Sequence, residues 1–75
     1  MTAKIMLTPS RVKEFVAVTT ACDFDIDIAG NNRYVVDAKS IVGVYGLDMT
    51  RPLTISYDGY NAALEAFITA NQAAS

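Results

Sequence analysis

Asp37-Ala38-Lys39-Ser40-Ile41-Val42-Gly43-Val44-Tyr45-Gly46-Leu47 is the stretch that decides the fold of this chain. A polar start, a short apolar run and a glycine-marked exit predict a helix of roughly two turns, with Ser40 at its N-cap or first turn. A helix that short is unstable alone, so one side of it must rest on a core. With Val44 and Leu47 turned inward, Ile41, Val42 and Tyr45 share the opposite stripe and face water.

The segments on either side supply that core. Ala29-Gly30-Asn31-Asn32 predicts a hairpin turn, because glycine and asparagine tolerate positive φ. Before it, Asp23-Phe24-Asp25-Ile26-Asp27-Ile28 alternates as a strand, aspartates on one face and apolar residues on the other; after it, Arg33-Tyr34-Val35-Val36 returns antiparallel. At the N-terminal end Thr2 to Leu7 alternates as a first strand, and Thr8-Pro9 opens a helix, threonine capping and proline at the first helical position. Val12, Phe15, Val16, Thr19 and Cys22 form its inner stripe, with Arg11, Lys13 and Glu14 toward solvent. Beyond the organising stretch, a loop from Gly46 to Pro52 leads to a fourth strand, with Leu53, Ile55 and Tyr57 alternating with Thr54 and Ser56. Asp58-Gly59 turns the chain. Tyr60, Ala63, Leu64, Phe67 and Ile68 mark a last amphipathic helix that frays from Asn71 to Ser75.

The order β-α-β-β-α-β-α predicts an α+β open-faced sandwich over residues 1–75: a four-stranded antiparallel sheet with three helices on one face and the aspartates on the wet one. Ferredoxin-like topology shares the first six elements.

Composition narrows the function. Seventy-five residues make one domain with little stability to spare for a deep catalytic cleft, which favours a binding module over an enzyme. The chain is 52% hydrophobic and 19% charged, which places it among folded globular proteins. No apolar run approaches a membrane span, and the N-terminus has no signal-peptide pattern. A single cysteine, Cys22, fits a reducing cytoplasm and reads as a small apolar residue at a helix end. A net charge of −2 with scattered cations argues against nucleic acid as a partner. The aspartate strand reads as a solvated face, since a cation site needs oxygens converging from several directions. No metal, cofactor or catalytic residue is expected.

The run Val36 to Leu47, followed by Leu53-Thr54-Ile55-Ser56-Tyr57-Asp58-Gly59 and the Ala62-Ala63-Leu64 helix, resembles HPr, the histidine-containing phosphocarrier of the bacterial sugar phosphotransferase system. The resemblance runs from Thr20 to Phe67, and Lys-Ser-Ile-x-Gly-Val is its most specific mark. It implies the open-faced sandwich, and it matches Ser40 to the serine that an ATP-dependent HPr kinase phosphorylates in many bacteria. It also places Ile41, Val42 and Tyr45, with Lys39 beside them, where the family exposes its partner-docking surface.

At the family's chemical centre the chain departs from the pattern. A phosphocarrier places histidine, and arginine two residues on, at the start of the first helix, and this chain has no histidine. Counting back from Thr20 without gaps puts Ser10 at the histidine position and Val12 at the arginine position; a slip of one residue puts Pro9 and Arg11 there. A serine phosphate ester is too stable to hand its phosphoryl group on, so Ser10 reads as a first-turn helix residue.

The expectation is therefore a histidine-lacking, HPr-like regulatory or interaction module of the Crh type. By resemblance its partners are proteins: an HPr kinase acting on Ser40 and a transcriptional regulator of carbon metabolism, with the chain itself a monomer or weak dimer. The alternative is a ligand-sensing or structural domain of ferredoxin-like type, with a ligand at a dimer interface and no use for Ser40.

Overall fold

The computed structural model describes residues 1–31 and 34–73. Its elements are β1 (Thr2–Ile5), a 3-10 turn (Pro9–Arg11), α1 (Val12–Thr20), β2 (Ile26–Ala29), β3 (Val35–Asp37), α2 (Ile41–Tyr45), β4 (Leu53–Tyr57) and α3 (Ala62–Ala70). The strands form one antiparallel sheet in the order β1-β4-β2-β3.

Register decides which face is buried. Ile5 lies opposite Leu53, Ala3 opposite Ile55, Ile28 between Ile55 and Val36, and Ile26 opposite Tyr57. These residues meet the helices, where Val12, Phe15, Val44, Leu64, Phe67 and Ile68 join them in one core. The other parity, including Lys4, Asp27 and Asp37, is exposed. The result is an open-faced sandwich with all three helices on one side of the sheet.

Several boundaries differ from the sequence expectation. The first strand stops at Ile5, but Leu7 is still fully buried, so its alternation carries on into the loop. Thr8 makes no side-chain cap; its hydroxyl lies 3.1 Å from that of Ser10, and the chain enters α1 through the 3-10 turn. Asp23 and Asp25 fall outside β2, whose ladder starts with Ile26 opposite Tyr57, the last residue of β4; Phe24 beside them stacks on Tyr57 with ring centroids 5.9 Å apart. The second strand of the hairpin begins at Val35 and ends at Asp37; Asn32 and Arg33, assigned above to turn and strand, lie outside the described residues. The organising helix is five residues long, a little over one turn.

Two corrections concern the last helix. Tyr60 is 76% exposed, because Asn61 is extended and its side chain caps Leu64 N–H at 3.0 Å, which leaves Tyr60 ahead of the helix; Ala63, inside the helix, is also exposed. The segment after the helix does not fray at once. Met6 N–H donates to Asn71 O at 2.8 Å and Ala73 N–H to Lys4 O at 3.0 Å, so residues 71–73 run along the outer edge of β1.

Thr19 is a buried polar residue that the core satisfies in full. Its hydroxyl lies 2.8 Å from Ala38 O and 3.1 Å from Val16 O, tying α1 to the turn that precedes α2. Thr19→Val is expected to lower stability by about 1–3 kcal/mol, since Ala38 O loses that donor in a dry setting. Urea unfolding of the variant checks this, and an unchanged midpoint would show that the bond contributes nothing.

Tyr57 packs its ring inward while its hydroxyl reaches Glu65 at 2.5 Å. Burial first, then the Glu65 carboxylate, push its pKa up to about 12. A phenol with a folded pKa above its unfolded value of about 10 stabilises the fold fully below pH 10 and loses that contribution as pH rises to about 12. Alkaline unfolding followed by circular dichroism should therefore be less steep between pH 10 and 12 in Tyr57→Phe than in the parent chain.

Candidate functional site

The site is built around the N-terminus of α2. Ser40 is extended (φ −98°, ψ 110°), and its Oγ accepts Gly43 N–H at 3.2 Å, closing the N-cap. Two further bonds fix the entry to the helix: Lys39 N–H donates to Asp37 Oδ1 at 2.9 Å and Ser40 N–H to Asp37 O at 3.0 Å. Gly43 sits in a close approach. A Cβ there would lie 3.3 Å from both Ser40 Oγ and Val36 Cβ, so glycine lets α2 settle on β3 while the cap stays shut.

Only Val44 of α2 is buried, with Leu47 following it into the core. The opposite stripe faces water: Val42 is 80% exposed, Tyr45 47% and Ile41 38%. Ser40 is exposed at the head of the same stripe. The structure thus brings Ser40, Ile41, Val42 and Tyr45 together on one surface.

Lys39 takes a different direction. It is half-buried, and its Nζ donates to Cys22 O at 3.0 Å, just past the C-terminal end of α1, where a cation is favoured by the helix dipole. Its ammonium is committed to joining α1 to the α2 turn. Cys22 beside it is buried, and burial pushes its thiol pKa up, against the pull of Lys39.

Ser10 and Arg11 are both exposed in the 3-10 turn ahead of α1. The partner of the Ser10 hydroxyl is Thr8, which is no general base. Between this turn and the end of α2 lies an open hollow of about 300 Å³ whose walls include Leu7, Pro9, Tyr45, Leu47 and Met49. Sequence reasoning missed it, because its walls come from segments nearly forty residues apart. Asp48 on its rim is held below the usual carboxylate range by Thr50, whose hydroxyl and N–H both donate to it.

Ser40→Ala is expected to cost about 1 kcal/mol through loss of the cap. Ser40→Asp should recover most of it, because aspartate caps as well as serine does. Thermal unfolding of the two variants makes the comparison, and an unchanged midpoint in Ser40→Ala would mean that the cap is idle.

Among the described residues no group of three or more His, Cys, Asp or Glu side chains is placed to hold a metal ion, and no helix is long and apolar enough to cross a membrane. What the site offers chemically is a hydroxyl and an apolar surface. No protein-family model matches the chain, and no curated protein matches it.

Proposed function

We propose that this chain is an HPr-like interaction module without phosphocarrier activity, which docks proteins through Ile41, Val42 and Tyr45 and is controlled by phosphorylation of Ser40. One observation carries the reading: an exposed serine heads a stripe of exposed apolar side chains on a helix whose other side is anchored in the core. An apolar surface held rigidly in water suits recognition, and a dianionic phosphate placed at its end would change which partners can dock there. The relay chemistry has no imidazole to run on.

The partners that this reading calls for are a serine kinase of the HPr type and a transcriptional regulator of carbon metabolism, which would place the chain in carbohydrate uptake or carbon catabolite control. Lys39, bonded to Cys22 O, positions the surface rather than contacting the partner.

Incubation with ATP and an HPr kinase, followed by mass spectrometry, tests the control point. A single phosphate on Ser40, absent in Ser40→Ala, is the expected result; an unmodified chain beside a fully phosphorylated HPr control would overturn it. Docking is tested separately with the regulator. Val42→Asp should weaken binding at least tenfold, the scale of a hot-spot loss above about 1.4 kcal/mol, while the cap and fold persist.

A further inference from the structure

The two edges of the sheet are finished differently. On the β1 edge, Lys4 O and Met6 N–H point outward, and residues 71–73 take up both. On the β3 edge no described segment covers the strand. Ala38 N–H bonds to Ile26 O, so the alternation of an antiparallel ladder makes Ile28 and Val36 a bonded pair and turns the N–H and C=O of Val35 and the N–H of Asp37 away from β2. Val35 is 57% exposed beside them.

Among the described residues the charge on this edge is one-sided. Asp27 lies directly opposite Asp37 in a non-bonded pair, where side chains stand closest, and no cation among the described residues pairs with either carboxylate. Like charges in that position destabilise a sheet. A second copy of the chain, pairing edge to edge, would bring another Asp27 and Asp37 onto the same face. A strand carrying a cation would offset the repulsion instead.

We infer that the β3 edge accepts an extended, basic segment of a protein partner by antiparallel strand addition. Val35 and Asp37 supply the main-chain bonds. The incoming residue opposite Asp37 is lysine or arginine, and the residue two positions later, opposite Val35, is β-branched or aromatic. This surface is separate from the Ile41, Val42 and Tyr45 stripe and does not depend on its use.

The probe is a short synthetic peptide in which lysine alternates with valine, titrated into the full chain and followed by amide hydrogen exchange and backbone NMR shifts. Protection of the Val35 and Asp37 amides should rise with the lysine peptide and not with a counterpart carrying glutamate for lysine. Asp37→Asn keeps an oxygen for Lys39 N–H while removing the charge, and should weaken the lysine peptide about two- to fivefold. Three results would each overturn the inference: no protection at millimolar peptide, equal response to the two peptides, or protection that grows with protein concentration alone and so identifies a second copy as the occupant.

Discussion

Phe15→Ala is expected to be among the most destabilising single substitutions in this chain at 25 °C. Phe15 is fully buried on α1, its ring 5.4 Å from that of Phe67 on α3 with the planes tilted by 48°. That pair is where the two long helices meet, so truncation removes the ring, its aromatic contact and the filling of the space between helix layer and sheet. Phenylalanine truncations in such settings cost about 3–5 kcal/mol. A chain of this length has about 4–11 kcal/mol of total stability, so the loss is between about a quarter and all of it. Urea unfolding followed by far-ultraviolet circular dichroism measures it. A loss below about 1 kcal/mol would show that α1 is anchored elsewhere.

The second large effect comes from a residue with no side chain. A Cβ added at Gly59 would sit 2.6 Å from Cγ and 2.7 Å from Cε2 of Phe24, distances that atoms in folded proteins do not tolerate. The atoms in the way belong to a ring stacked on Tyr57, and Cγ lies at its root, so a rotation of the ring tip does not relieve the clash. Gly59→Ala should therefore cost about 1–3 kcal/mol, the range for overpacking. Coupling identifies the cause. In a Phe24→Ala background the Gly59→Ala penalty should fall toward zero; if it stays unchanged, the backbone at Gly59 and not the ring is responsible.

How much could be read beforehand depended on whether a residue's role leaves a mark in side-chain type. Alternation at Ile26 and Ile28, and at Leu53, Ile55 and Tyr57, fixed the buried parity of two central strands, and burial follows it. The exposure of Ile41, Val42 and Tyr45 was legible for a related reason: Val44 and Leu47 can face the core only if those three do not. Asp23 and Asp25 mislead because they keep the alternation of β2 although β4 ends at Tyr57, opposite Ile26, and no local pattern around Asp25 announces where a strand about thirty positions away stops. Tyr60 misleads because helical spacing continues across Asn61, although an asparagine three residues before Leu64 is itself a cap signal. The direction of Lys39 and the bonds of Thr19 were hidden, since both satisfy carbonyls of distant residues. At the candidate site the cap and the apolar stripe were local and readable; the hollow beside Tyr45 was not.

The segment 71–73 laid along β1 has a consequence for how the chain reaches this structure. Thr2 finds its partner in Ser56, and Ile5 finds a second one in Gln72, 54 and 67 positions later. The first strand thus has no neighbour close in sequence, while β2 and β3 can pair across a short turn almost at once. Closing such long loops must precede the contacts that reward it, which slows the search for the native pairing. This topology predicts that the hairpin assembles early and β1 joins late, between β4 and residues 71–73; pulsed hydrogen exchange should then protect the Ile28 and Val36 amides before those of Ala3 and Ile5. Until then β4 carries an unpaired edge, and the half-finished sheet is the species most exposed to pairing with the wrong chain.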